Sequence, residues 1–176
     1  MALKMLPYVF VRSFNIRHCE WSEIDFENKE WIIPASKMKT KSEFILPLSN
    51  YVIDLLTEVK KFTSDSKYVF ASFKDKNRPM SENTLISALR RMGYTKEEFV
   101  PHSFRAMFST IAYENMNEHQ CSGEVIEALL AHKETNKVKE TNKVKEAYNR
   151  ATYKQGMKKL IDWYSNHLTF IVQIKI

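Results

Sequence analysis

The feature that most restricts the fold of this chain is where its strand-type sequence lies. Residues 22–26 and 30–33 have the pattern of two extended strands joined by a turn at 27–29, and residues 43–48 form a third extended segment. Most of the remaining chain carries apolar residues at helical spacing. The pattern predicts an α+β fold that is mainly helical, with a small three-stranded antiparallel sheet near the N-terminus.

Helices are predicted where apolar residues recur at helical spacing and a capping residue marks an end. Ser49 is predicted to cap a helix because apolar residues follow it at positions 52, 55, 56 and 59. Gly93 is predicted to close a helix that Ser81 opens, and residues 95–98 have the capping-box spacing of a short helix. Other helices are predicted at 2–19, with an interruption at Pro7, and at 102–115, 122–131 and 151–167.

Composition places the chain among folded proteins with an excess of positive charge. Its 176 residues suit a single domain, and 44% hydrophobic residues with only 3 glycines and 5 prolines exclude a disordered chain. The formal charge of +6 favours a polyanionic partner. Cys19 and Cys121 lack metal-binding spacing, which indicates a reduced cytoplasmic setting. The sequence shows neither a membrane-spanning apolar run nor a signal-peptide pattern.

Six residues with the chemistry to break a phosphodiester are scattered along the chain. They are Arg12, Lys39, His102, Arg105, His132 and Tyr148. Arginine stays charged and holds the nonbridging oxygens of a phosphate, tyrosine can attack the phosphorus, and lysine and histidine can transfer protons. His102 also begins a predicted helix, where unpaired backbone N–H groups favour an anion. Taken singly, most of these residues are ordinary surface or helix-end residues, so the signal lies in their order and flanking sequences.

These residues and their flanks resemble the catalytic domain of the tyrosine recombinases, the phage and prophage integrases. Five further stretches carry the resemblance in the right order: Leu-Pro-Tyr-Val-Phe-Val-Arg at 6–12, Trp-Ser-Glu-Ile-Asp at 21–25, Phe-Ile-Leu-Pro-Leu-Ser at 44–49, Arg-Pro-Met-Ser at 78–81 and Ala-Leu-Arg-Arg-Met-Gly-Tyr at 88–94. The resemblance covers nearly the whole chain. It implies the tyrosine-recombinase catalytic-domain fold over residues 1–167.

The resemblance also implies an activity, which is site-specific cleavage and rejoining of DNA in the integration or excision of mobile DNA. Cleavage would pass through a 3′-phosphotyrosine intermediate. The resemblance assigns the phosphate clamp to Arg12 and Arg105 and the nucleophile to Tyr148. It assigns protonation of the leaving 5′ oxygen to Lys39, and Lys41 remains an alternative because it lies only two residues further along the same segment.

Further residues complete the assignment. His102 is expected to assist proton transfer at Tyr148, and His132 to hydrogen-bond a phosphate oxygen. Contacts to the DNA backbone are expected from Lys37, Lys41, Arg90 and Arg91. The resemblance implies double-stranded DNA as partner, a tetrameric synapse on that DNA, and a cytoplasmic, nucleoid-associated bacterial protein. It implies no metal, cofactor, membrane or small-molecule substrate.

Two departures from the family pattern bear on activity. Asn15 stands where the family has an acid that supports the arginine cluster, so the clamp is expected to be looser. The six residues 134–139 are repeated at once as 140–145, which separates His132 from Tyr148 by 16 positions instead of 10. A helical insert would displace Tyr148 by about 9 Å, whereas a loop would let it dock. An alternative function is therefore a catalytically impaired integrase remnant that at most binds DNA.

The ends of the chain carry two more expectations. The N-terminal arm-binding and core-binding domains that the family uses to enclose DNA are expected to be absent from this chain. At the other end, residues 168–176 form an apolar tail in which alternate residues from 170 to 176 are apolar. The alternation predicts a strand, packed either on its own domain or on a neighbouring subunit.

Overall fold

The structure is a computed structural model that describes the backbone of residues 1–131 and 143–174, and the side chains of residues 1–131 and 153–171. The described helices are α1 Ala2–Val9, α2 Ser13–Arg17, α3 Asn50–Thr63, α4 Thr84–Arg91, α5 Ser103–Glu114, α6 Met116–His119, α7 Gly123–Leu129 and α8 Lys143–Ile174. The described strands are β1 Ile24–Asp25, β2 Glu30–Ile33 and β3 Phe44–Pro47. The prediction of a mainly helical fold with three strands is confirmed.

The sheet is antiparallel with the order β1-β2-β3, as the sequence pattern predicts. Trp31 pairs with Ile24 on one side and with Leu46 on the other, and Trp31 and Leu46 are fully buried. Ile32 and Ile45 pair with each other on the opposite face and are exposed. The sheet therefore has one face in the core, which fixes the register of its strands.

The N-terminal helix is not the single helix predicted at 2–19. Pro7 lies inside α1 without interrupting it, and the break comes at Phe10, which has a left-handed φ of 45°. Phe10 is buried, stacks on Phe108 at 3.6 Å between ring centroids, and meets Tyr164 edge-on at 5.2 Å. Tertiary packing of this ring turns the chain, so that Arg12 is extended and α2 begins after it.

The local capping signals have mixed outcomes. The Ser49 hydroxyl accepts from the Val52 amide at 3.4 Å, and Gly93 ends the α4 segment with a φ of 97°, so both predicted caps are confirmed. Thr95 and Glu98 form the two reciprocal capping-box hydrogen bonds, but residues 96–98 form only a turn. The predicted short helix is therefore wrong: the capping-box hydrogen bonds form, but they close a single turn.

The predicted C-terminal strand is also wrong over the described residues, because α8 continues to Ile174. The Thr169 hydroxyl donates to the Ser165 carbonyl oxygen at 2.9 Å, one helical turn back, and Leu168 packs on the core. Apolar residues that alternate in sequence can also lie along a helix when its preceding turns are docked. Phe170 at the end of the described side chains is 62% exposed. Residues 175 and 176 lie outside the described part of the chain.

Candidate active site

Arg105 is the structural centre of the candidate site. It lies in the first turn of α5 and is buried. One terminal nitrogen of its guanidinium donates to the Phe10 carbonyl oxygen, at the end of α1, and the other donates to the Leu130 carbonyl oxygen at 2.7 Å, just after α7. Arg105 therefore joins the segment that leads into Arg12 to the segment that leads into residue 132.

Arg12 lies close enough to Arg105 for the two charges to repel each other. Burial and the positive charge of Arg12 together lower the pKa of Arg105 to about 10, against a smaller opposing effect of Glu127. Both groups remain protonated at neutral pH, because that value is still far above 7. Two guanidinium groups whose charges repel each other form a setting that a bound anion would stabilise.

His102 immediately precedes α5, one helical turn before Arg105. It is exposed, and its carbonyl oxygen accepts from the Arg105 amide at 3.1 Å. Residues three apart lie on one face of a helix, so His102 and Arg105 are neighbours. The structure thus brings together three of the six predicted site residues, Arg12, His102 and Arg105.

Lys39 lies on an exposed segment between the sheet strands, which we call the lysine link, residues 37–43. Lys39 and Lys41 are both exposed, and Lys41 has a left-handed φ of 57°. The start of the link is held by Asn15, whose side-chain amide donates to the Lys37 carbonyl oxygen at 3.0 Å. Asn15 is itself buried at the start of α2, next to Arg12. Asn15 therefore connects the arginine segment to the lysine link, a role that the sequence comparison did not indicate.

Lys37, predicted as a DNA contact, has its ammonium group inside the protein. Its Nζ donates to Glu20 Oε1 at 2.8 Å, to Glu23 Oε1, and to the His18 carbonyl oxygen at 2.6 Å. Burial opposes the charge, but the hydrogen bonds and charges of the two carboxylates outweigh it and raise the pKa of Lys37. The predicted role is corrected accordingly: Lys37 makes an internal ion pair. The acidic pair at 20 and 23 was the available sequence signal.

Arg90 is a second predicted DNA contact that the structure engages internally. One terminal nitrogen of Arg90 donates to the carbonyl oxygens of Tyr94 and Thr95, each at 2.7 Å, and of Phe99 at 3.0 Å. These carbonyls belong to the loop that leads into His102, so Arg90 shapes that loop. Its neighbour Arg91, at the end of α4, is exposed. Contact of Arg91 with DNA stays a prediction, whereas the Arg90 prediction is corrected, because its guanidinium is bonded to the loop.

The two remaining site residues are His132 and Tyr148. His132 and most of the repeated hexamer lie outside the described residues, and Tyr148 lies in α8 without a described side chain. Helix α8 is docked closely on α7, because a Cβ at Gly156 would meet Val125 Cγ2 at 2.9 Å. The Tyr153 hydroxyl donates to Glu124 Oε2 at 2.9 Å. Helix α8 therefore packs against the helix that leads into residue 132.

No helix in the described part of the chain is long and apolar enough to span a membrane. Within the same residues, no group of three or more His, Cys, Asp or Glu side chains could hold a metal ion.

Comparison with known proteins identifies the family and the fold of this chain. The family model described as the phage integrase family matches residues 1–148. The chain is 35% identical to the integrase of Shigella phage Sf6 over 169 residues, and 34% identical to the prophage integrase IntS of Escherichia coli strain K12 over 169 residues. Each alignment covers 96% of this chain but only 41% of the relative.

Two solved structures show the same fold at low sequence identity. The XerA recombinase gives a TM-score of 0.59 with 18% identity, covering 84% of this chain and 55% of the other. The Tn1549 transposon integrase, solved in complex with transposon right end DNA, gives 0.59 with 13% identity, covering 86% and 58%. Together with the family match, these similarities show that the chain belongs to the phage integrase family and has the catalytic-domain fold of the tyrosine recombinases.

Proposed function

We propose that this chain forms the catalytic part of a site-specific recombinase that cleaves and rejoins double-stranded DNA through a 3′-phosphotyrosine intermediate. The observation that carries the proposal is that the Arg105 guanidinium is bonded to the Phe10 carbonyl oxygen, two residues before Arg12, and that the Arg12 charge lowers the pKa of Arg105. A phosphodiester placed between the two arginines would relieve the repulsion of their charges and accept hydrogen bonds from both groups. Membership of the phage integrase family favours DNA as the source of the phosphate.

In the proposed reaction, the phenol oxygen of Tyr148 attacks the phosphorus while the bond from phosphorus to the 5′ oxygen breaks. The phenol proton passes to His102. The 5′ oxygen leaves with the bonding electron pair and takes a proton from Lys39. Arg12 and Arg105 stabilise the charge on the nonbridging oxygens throughout. Rejoining reverses these steps, with the 5′ hydroxyl of a partner strand as nucleophile, so the cleaved linkage is conserved without ATP.

The proposed DNA partner fits the charge of the chain. The formal charge is +6, and Lys41 and Arg91 are exposed cations that would contact backbone phosphates. Such contacts release counterions, so binding by this domain should be weakly sequence-dependent and should fall steeply with salt. A tetrameric synapse on DNA, with His132 on a phosphate oxygen, belongs to the same proposal.

The proposal is tested by covalent trapping on nicked DNA. A pool of duplexes with randomised sequence around a nick lets the short 5′-hydroxyl fragment diffuse away after cleavage, which prevents rejoining. The parent chain should form an adduct that survives denaturing electrophoresis, and sequencing of the adduct would identify the preferred site. Tyr148→Phe should abolish the adduct, because the phenol oxygen carries the phosphate. An adduct that persists in Tyr148→Phe would move the nucleophile elsewhere, with Tyr153 as the first candidate.

The repeated hexamer favours a second candidate function, a domain that binds DNA without cleaving it. The repeat lies between His132 and Tyr148, and a nucleophile displaced by even about 1 Å loses much of its rate. Salt-sensitive binding without an adduct would support this alternative. Deletion of residues 140–145 should then restore trapping, since it restores the shorter spacing while removing a segment in which five of six residues are polar. Equal trapping by the parent and the deletion variant would show that the repeat is harmless.

A further inference from the structure

Lys37 and Lys39 are two residues apart in the lysine link, yet only one of them is exposed. We propose that Lys37 is a positioning residue: it fixes the base of the link so that the Lys39 ammonium can reach the leaving 5′ oxygen. The inference rests on the proposed function, because it gives a role to a residue that does not itself touch DNA. Three sets of contacts support it. They hold the Lys37 side chain, the Glu23 carboxylate that accepts from it, and the backbone just before Lys39.

The first set holds the Lys37 side chain. An ammonium group has three N–H donors, and the structure provides three acceptors, on Glu20, Glu23 and His18. The side chains are largely buried, with exposed fractions of 16% for Lys37, 18% for Glu20 and 8% for Glu23. Ion pairs with this degree of burial are screened less by solvent and salt than surface pairs are.

The second set holds the acceptors. Glu23 Oε2 accepts from the Trp31 indole N–H at 3.1 Å and from the Glu20 amide at 3.3 Å. Trp31 is fully buried in the central strand of the sheet. The carboxylate that receives Lys37 is therefore bonded to a fully buried side chain of the central strand.

The third set holds the backbone of the link itself. The Asn15 amide donates to the Lys37 carbonyl oxygen at 3.0 Å and contacts Met38 Sδ at 3.8 Å, and Met38 is buried. Asn15 is on α2, which begins directly after Arg12. Since consecutive Cα atoms are about 3.8 Å apart, Lys39 starts within about 8 Å of a point fixed to the arginine segment. The anchor thus couples the position of the proton donor to that of the phosphate clamp.

A purely structural ion pair would make a different prediction. If Lys37 only stabilised the fold, its loss would weaken every property of the site in the same proportion. If Lys37 positions Lys39, its loss should affect protonation of the leaving group and leave the phosphate clamp intact. Two measurements separate these cases, and one of them needs no turnover.

The first measurement follows the link directly. A nitroxide label on Lys39→Cys reports rotation of the link, and the native Cys19 and Cys121 are buried, which directs labelling to position 39. With Lys37 present, the spectrum should be that of a restricted label. Lys37→Met should shift it to the narrow lines of a freely rotating label. Identical spectra would overturn the proposal.

The second measurement tests proton delivery by changing the leaving atom. In a nicked duplex whose bridging 5′ oxygen is replaced by sulfur, the leaving thiolate needs no proton, because thiols have a pKa of only about 8.5. Lys37→Met should lower trapping on the oxygen substrate by about tenfold and on the sulfur substrate by less than about twofold. Arg105→Met should lower trapping on both. Equal losses on both substrates for Lys37→Met would overturn the proposal.

Two further variants keep the test decisive. Lys37→Met leaves two carboxylates without their partner, so the triple variant Lys37→Met, Glu20→Gln, Glu23→Gln removes the anchor without leaving unpaired charge. Lys61→Met is the matched control, because it removes a lysine from an exposed ion pair with Glu58.

A parent chain that traps neither substrate would overturn the proposed function and the proton-delivery step. The label would still decide whether Lys37 positions the link.

Discussion

The arginine clamp, Arg12 and Arg105, and the lysine link both carry positive charge, but the fold holds Arg105 and Lys39 in opposite ways. Arg105 is buried and bonded to the carbonyl oxygens of Phe10 and Leu130, so it is fixed from two sides. Lys39 is exposed, and the described contacts that hold it are backbone ones: Asn15 bonds the base of its link, and the Lys41 amide donates to the Met38 carbonyl oxygen at 3.1 Å. A group that stabilises charge on a phosphate acts best when preorganised, whereas a proton donor must approach and withdraw. The difference is consistent with the proposed roles: the residue that would stabilise charge on the phosphate, Arg105, is held by the core, and the proton donor, Lys39, is exposed.

The largest expected effect is a difference in the free energy of unfolding between variants of Arg105 and of Lys39. Arg105→Met leaves two buried carbonyl oxygens without donors, which should lower the free energy of unfolding by about 2 kcal/mol. Lys39→Met removes only an exposed side chain and should change it by less than about 0.5 kcal/mol. Urea unfolding of both variants beside the parent measures the difference. Equal losses would show that the link is as much part of the fold as the clamp, and would remove the contrast.

The next effect tests whether the clamp accepts an anion. Because the pKa of Arg105 is lowered to about 10, its proton is lost in the folded state before it is lost in the unfolded chain. Burying the charged Arg105 therefore lowers the stability of the folded state at every pH below about 10. This loss of stability decreases only as the pH rises above about 10. At neutral pH a bound anion would offset part of that loss. Sulfate at about ten times its dissociation constant should stabilise the parent by about 1.4 kcal/mol relative to chloride.

The variants decide where that anion binds. At equal ionic strength, Arg105→Met should lose most of the sulfate effect and Lys39→Met should keep it. Thermal unfolding in matched sulfate and chloride buffers is sufficient to measure this. A sulfate effect of the same size in Arg105→Met would assign it to general exclusion of the salt from the protein surface, and the clamp would then have no special affinity for anions.

The sequence predicted those features whose causes lie within a few residues. Strand alternation predicted the three-stranded sheet, and Ser49 and Gly93 were predicted as caps because capping depends on adjacent backbone groups. The C-terminal strand was predicted wrongly, because the same apolar residues also suit a helix. The structure continues α8 through these residues to Ile174, which the alternation does not encode.

The predicted DNA contacts show more clearly that local sequence does not determine long-range contacts. Lys37 and Arg90 were predicted to contact DNA on the strength of charge and family position, yet both are engaged inside the protein. The partners of Lys37 at Glu20 and Glu23 lie 17 and 14 residues earlier, on another element. No local pattern specifies such a pairing. The order of the site residues could be recognised in the sequence. Which lysine and arginine side chains are exposed, and so could contact DNA, depends on the fold.

Adjacent Arg90 and Arg91 allow the contrast between fixed and exposed cations to be tested within one helix. Arg90→Met should destabilise the protein by about 1 kcal/mol, because three loop carbonyl oxygens lose a charged donor and water replaces it only in part. Arg91→Met should leave stability unchanged and weaken DNA binding, with a shallower dependence on salt. Urea unfolding and binding to a duplex at several salt concentrations measure both effects. The opposite assignment of the two losses would mean that Arg90, not Arg91, faces DNA.

The smallest expected effect concerns the anchor of the lysine link at acid pH. Burial opposes ionisation of Glu20, but hydrogen bonds and charges from Lys37 and Lys67 outweigh it and lower the pKa below the usual 4.5. The folded state then binds fewer protons than the unfolded chain near that value. The anchor's stabilisation is therefore fully present above about pH 4.5 and is lost as the pH falls through the folded-state pKa.

Glu20→Gln should accordingly flatten the fall of stability below about pH 5, by less than about 1 kcal/mol in total. Glu58→Gln, which removes a carboxylate from an exposed ion pair, controls for the loss of one charge. Urea unfolding between neutral and acid pH measures the slopes, and the nitroxide at position 39 reports the link in parallel. If the label becomes freely rotating over the same pH range in the parent, the link depends on the ion pair. If stability falls while the label stays restricted, Asn15 alone holds the link, and the proton donor is more rigidly fixed than the contrast with the clamp implies.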